Sequence, residues 1–245
     1  MRLGLVAAGV LALGLGAQAP APAAAAAGAA ARAAASPRVS ELVVFRDGSS
    51  VAKAVSTKAA TVKVGRRHCT AGTGTPLAAL VRSRPGKLRL RDFGSCSSRA
   101  ADGGGLFVSG IRGDVNRGQN GWVYKVGRRA ATAGAADPGG PFGRGRLKAG
   151  QRVTWFYCRL RDGGCQRTLQ LEARAEAGRL TATVRGYDDE GKGKAIAGAT
   201  VSAGAVSAQT DATGAASLTL EAGRYSVVAT KAGLIRSFAE RVEVP

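Results

Sequence analysis

Histidine is nearly missing from this chain: His68 is the only one in 245 residues. That scarcity argues against a metal site built on imidazoles and against histidine-assisted nucleophilic catalysis. No G-x-S-x-G turn accompanies the serines, so no nucleophile elbow is legible. Beyond residue 36 no apolar run approaches the roughly 20 residues of a membrane-spanning helix. The last residues carry no sorting or lipidation pattern, and no internal repeat is evident. Acids are scarce as well, with 16 Asp+Glu against 36 Lys+Arg and a formal net charge of +20. The chain is therefore expected to bind something rather than to be an enzyme, and to need no cofactor or metal.

What is present begins with Arg2, an apolar run from Leu3 to Leu15 broken by glycines, and Ala/Pro-rich sequence to about Ala35. Residues 1–36 read as a signal peptide, cleaved on export, with a disordered spacer; a retained anchor is the competing reading. Four cysteines, Cys69, Cys96, Cys158 and Cys165, suit two disulfides in an exported chain. Sequential pairing is expected, because Asp162-Gly163-Gly164 marks a turn between the last two. The charge is unevenly placed. Residues 37–175 hold 26 basic and 8 acidic side chains, a net of +18, whereas residues 176–245 hold 8 of each. An arginine-favouring genome would raise both parts, so the positive field of the first calls for an anionic partner.

Alternation and turn signals predict strands at Val39–Phe45, Thr61–Val64, Lys87–Arg91, Leu106–Ile111, Gly121–Gly127 and Gln151–Cys158. Thr75-Pro76 before LAALVRS predicts a short helix, capped by Thr75 and stopped at Gly86. Two strands, a helix and further strands form the order of a β-grasp-like α+β module over 37–175. After about Leu171 aromatics thin out, and five β-runs between Leu180 and Val244 predict a seven-stranded β-sandwich over 176–245. The fold class expected is mostly β.

Two resemblances sharpen this. GQNGWVYKVGRR (Gly118–Arg129) and LKAGQRVTWFYC (Leu147–Cys158) make the first part resemble the transcobalamin-like C-terminal domain family, a β-grasp fold of exported proteins. Ala149 and Gln151 stand where that pattern carries acids. In animal cobalamin carriers the domain closes over a corrinoid, so the resemblance implies a small ring-shaped ligand. In the second part, Ala197-Gly198-Ala199-Thr200-Val201, Thr210-Asp211 with Gly214, Gly223-Arg224-Tyr225 and Lys231-Ala232-Gly233 resemble the carboxypeptidase regulatory-like domain, a transthyretin-type sandwich. That implies a spacer or adhesion module.

Candidate binding residues form two sets. Trp122 with Tyr124, and Trp155 with Tyr157, each share a strand face. Together they make either a core or an exposed aromatic platform for a planar ring, with Asn120 offering hydrogen bonds. Lys87, Arg89 and Arg91 lie about 6.6 Å apart along one strand face, with Arg128/Arg129 and Arg144/Arg146 in loops expected nearby. They read either as solvated surface or as a contact for an anionic cell-wall polymer, glycan or lipid headgroup. Asp114–Gly121 hints at a calcium loop, against which stand Gly118 and Lys125 at ligand positions; Asp188-Asp189-Glu190 reads as an exposed acidic turn. The leading expectation is an extracellular, envelope-associated monomer that binds no nucleic acid physiologically. The first module would make the contact and the second act as spacer. The alternative is a cobalamin-like ring carrier.

Overall fold

The computed structural model describes residues 36–245; the expected signal peptide lies outside them apart from Ser36. The first part contains β1 (Arg38–Val44), β2 (Ser50–Ser56), β3 (Ala60–Val64), β4 (Arg67–Ala71), α1 (Pro76–Ser83), β5 (Leu88–Asp92), β6 (Leu106–Ile111), β7 (Asp114–Val115), β8 (Gly121–Val126), β9 (Arg129–Ala130) and β10 (Arg152–Cys158). The second contains β11 (Thr168–Glu176), β12 (Arg179–Tyr187), β13 (Gly193–Ala195), β14 (Thr200–Ala203), β15 (Val206–Gln209), β16 (Ala215–Thr219), β17 (Gly223–Thr230) and β18 (Glu240–Val244). The protein is mostly β, as expected.

The central sheet has the order β2-β1-β10-β8-β9, with β1 and β10 parallel and the other pairs antiparallel. Its middle strands are apolar on both faces, which explains why VTWFYC reads as an unbroken hydrophobic run instead of an alternation. Val39, Val43, Val153, Trp155, Tyr124 and Trp122 face a core shared with α1 and the β5-β6-β7 sheet. Leu42, Val44, Phe156 and Cys158 face the other way and pack on Ile235 and Phe238 from the second part. α1 starts as expected, with Ala78 N–H donating to Thr75 Oγ1 at 3.2 Å and Pro76 in the first turn. It ends earlier than Gly86: Arg84 takes the left-handed cap at φ 51°, because Pro85 bars a helical continuation. The predicted strands are all found, while β2, with two alanines and a lysine at its centre, gave too weak an alternation to be read.

In the second part, β11, β12, β13 and β16 form one sheet and β15-β14-β17-β18 another. Leu171, Leu180, Val184, Val201, Leu218 and Val227 from both sheets meet in one core. The strands number eight rather than seven, and the expected boundary at 175/176 falls inside β11. Leu169 and Leu171 belong to this second core, and β11 pairs along its length with β12. All of Ser36–Pro245 forms one compact unit.

Both sequential disulfides, Cys69–Cys96 and Cys158–Cys165, are present. They fit an oxidising, extracellular environment. In the second, Asp162 (φ 50°) and Gly163 (φ 79°) turn the chain between the mutual hydrogen bonds of Arg161 and Gly164. Among the described residues no helix is long and apolar enough to cross a membrane. Replacing Cys69 and Cys96 by serine is expected to cost about 3.5 kcal/mol, and Cys158 and Cys165 about 2.5, from loop-closure entropy alone. Urea midpoints of the two double variants, measured beside oxidised wild type, check that order.

Candidate functional site

The β5-β6 ladder builds one wall of the candidate site. Leu88 and Leu90 pack against the first core, which turns the exposed Lys87, Arg89 and Arg91 outward as alternation requires. A bulge interrupts the ladder between Arg89 and Leu90. It leaves Ser109 without a cross-strand partner, and its Oγ donates to the Arg89 carbonyl at 3.1 Å. On β6, Leu106 and Val108 are buried while Phe107 remains 43% exposed. Phe93, 74% exposed, packs edge-to-face on Phe107 with ring centroids 5.8 Å apart. Asp92 holds the Phe93 turn by accepting from Gly94 and Cys96 N–H groups, both at 3.0 Å. Those bonds, with a smaller contribution from Arg67, keep its carboxyl below the usual carboxylate range despite the opposing effect of burial. The Cys69–Cys96 bond ties the same loop to β4.

The opposite wall is the Asn116–Asn120 turn leading into β8. Asn116 donates to the Val108 carbonyl and accepts from Trp122 N–H, fixing the turn to β6. Gly121 is needed here: a Cβ would lie 2.7 Å from Asn116 Cγ. Between the walls runs a groove of about 680 Å³, to which Arg89, Arg91, Phe107, Gln119, Asn120 and Trp122 contribute. Among the described residues neither the Arg89 nor the Arg91 guanidinium makes an ion pair or a hydrogen bond. Asn120 Oδ1 accepts from Leu160 N–H at 2.8 Å, which leaves its amide NH₂ to face a ligand.

The structure thus joins part of each predicted set: Arg89, Arg91, Asn120 and Trp122 line one groove, while Lys87 stands outside it. The aromatic set is core. In register Tyr124 faces Trp155 and Trp122 faces Tyr157, and all four rings are buried. Tyr124 and Trp155 stack at 4.9 Å, Trp122 Nε1 donates to the Asp114 carbonyl, and both tyrosine hydroxyls donate to carbonyls. Burial also pushes the Tyr124 hydroxyl's pKa upward. The four rings form no open platform, because the face they share is covered by α1 and the β5-β6-β7 sheet. No family model, curated protein or solved structure matches this chain.

Three of the other four loop cations are engaged elsewhere. Arg128 lies 4.7 Å over the Tyr187 ring and donates to Gln170, Arg129 lies over Phe142, and Arg146 donates to the Pro138 carbonyl. None of these, nor Arg144, lines the groove. The acidic turn is not simply exposed. Asp189 pairs with Lys125 at 3.1 Å and accepts from Cys165 N–H, while Asp188 pairs with Arg167 at 3.1 Å. Around the Asp114–Gly121 loop, as elsewhere among the described residues, no group of three or more His, Cys, Asp or Glu side chains comes together. Asp114 instead accepts from Arg46 N–H. Phe107 and Phe93 escaped sequence reading, although the alternation in LFVSGI already put Phe107 opposite Leu106 and Val108.

Proposed function

We propose that this is an exported, non-enzymatic binding protein of the cell envelope that grips an anionic polymer or headgroup through the Arg89–Arg91 groove. The observation that carries this is a pair of guanidinium groups with no acid to neutralise them, set beside the free amide of Asn120. Spaced cations on a strand suit repeated phosphates or carboxylates by charge and counterion release. The first part reads as a β-grasp module. Its support is the sheet order with parallel middle strands and α1 on one face. The second reads as a β-sandwich, supported by two four-stranded sheets around one core. It acts as a support fastened to the first part, since Ile235 and Phe238 cover the central sheet and Arg152 forms an ion pair with Glu240.

Retention of the protein on purified cell wall and on long-chain polyphosphate tests this reading. Binding is expected to collapse by about 0.5 M salt, where the screening length falls to a few ångströms. Arg89→Ala with Arg91→Ala should weaken it about ten-fold, from roughly 0.7 kcal/mol for each exposed charge contact. Arg174→Ala with Arg241→Ala removes the same charge elsewhere and should change little. Equal losses from both pairs would reduce the groove to general surface charge.

A further inference from the structure

A second depression adjoins the groove. It encloses about 350 Å³, within the size range of small-molecule sites, and shares Phe107, Trp122 and Val123 with the groove. Its chemistry differs: Tyr124, Trp155, Ala130, Ala131, Ala133 and Ala135 make it largely apolar. Its one charged group is Asp189, which Lys125 already engages. Trp155 is 1% exposed, and its indole Nε1 has no acceptor among the described residues. A buried donor without a partner is costly, and here it belongs to a ring in the cleft wall.

From this adjacency we infer that the site takes an amphiphilic anion, with its charged head at Arg89 and Arg91 and its apolar portion in the Trp122–Tyr124–Trp155 cleft. The inference rests on the anionic-groove reading and adds a ligand class to it. The partnerless guanidinium groups attract the head, and Asp189 in the cleft wall opposes the reverse orientation. Apolar walls gain by burying a chain or ring. A bare polyanion uses only the groove; a neutral lipid uses only the cleft.

The chain's two tryptophans both contribute to the cleft wall, so their emission reports its occupancy. Dodecyl phosphate, kept below its micelle concentration, is expected to shift that emission saturably. Dodecanol should bind about ten-fold more weakly, and so should dodecyl phosphate to the Arg89→Ala, Arg91→Ala variant, for want of the two charge contacts. Inorganic phosphate alone should leave the emission unchanged. Ala133→Leu, which fills the cleft from a loop, should weaken dodecyl phosphate and spare polyphosphate retention. Dodecanol binding as well as dodecyl phosphate, or dodecyl phosphate unaffected by Ala133→Leu, overturns the inference. Polyphosphate retained without any saturable emission change by dodecyl phosphate sinks the amphiphile and leaves the anionic groove standing. Loss of neither ligand in the double arginine variant removes both.

Discussion

Lys125→Met is expected to lower stability by about 3 kcal/mol and to separate unfolding into two transitions, where wild type should show one. Lys125 projects from β8 toward the second part, and its side chain is completely buried. Its ammonium donates to the carbonyls of Tyr187 at 3.1 Å and Asp188 at 2.9 Å, and lies 3.1 Å from Asp189 Oδ1. Burial pulls its pKa down, and the Asp189 carboxylate, the principal opposing influence, pulls it back up. An apolar side chain of similar length fills the space but strands two carbonyls and a partly buried carboxylate. Removing one member of such a cluster typically costs about 3–5 kcal/mol, and Asp189's 27% side-chain exposure favours the lower end. The split arises because Lys125 fastens the two cores. Both tryptophans report the first core and far-ultraviolet dichroism reports both, so urea curves from the two probes should coincide in wild type and diverge in the variant. Coincident curves in the variant would show that Ile235 and Phe238 suffice to hold the parts together.

Glu41→Gln is expected to raise stability by about 2 kcal/mol at pH 7 and to flatten its pH dependence. Glu41 sits in the middle of β1, 1% exposed, on the face that Val39 and Val43 turn to the core. Among the described residues its carboxyl receives one hydrogen bond, from Ser83 Oγ at 3.2 Å, and its second oxygen has no partner. Burial drives its pKa from 4.5 to about 8, against the weaker opposing pull of Ser83. The folded protein therefore holds a proton that the unfolded chain releases above pH 4.5. Stability associated with Glu41 is complete below that pH, declines as pH rises to about 8, and levels off beyond. At about 1.36 kcal/mol per unit the loss reaches roughly 3 kcal/mol by pH 7. Glutamine carries no charge to lose and returns most of this, less about 1 kcal/mol for its unpaired amide. Denaturation free energies from pH 5 to 8.5 should fall for wild type and stay level for the variant. Parallel slopes would place the titration elsewhere.

These two residues mark where reading the sequence stops. Glu41 lies in VSELVVF, a stretch that reads as a strand whichever way its alternation is phased; its burial depends on α1 crossing that face. Lys125 occupies a position that would otherwise be solvent-facing, and only the arrival of the β12–β13 turn encloses it. The same turn converts Asp188 and Asp189 from a surface acidic patch into ion-pair partners.

Local chemistry determined a good deal without the tertiary structure. Period-two alternation and turn residues located the strands from β1 to β10 that carry strong side chains, Thr75-Pro76 located the helix start, and the Asp162-Gly163 turn paired Cys158 with Cys165. The strict alternation of KLRLR was enough to expose Arg89 and Arg91, since a strand buries one face at a time. Packing decided the rest. The choice between an aromatic platform and a core turned on whether anything covered the face of the central sheet that Trp122, Tyr124, Trp155 and Tyr157 share, and Leu77 and Leu80 of α1 with Leu106 and Val108 of β6 cover it. Likewise, +18 of charge predicted a basic part but not which arginines remain free. Arg128, Arg129 and Arg146 found aromatic rings or carbonyls, whereas Arg89 and Arg91 faced a groove that exists only because the Asn116 turn docks on β6. Composition records how many charges a chain carries; their availability depends on contacts between segments far apart in sequence.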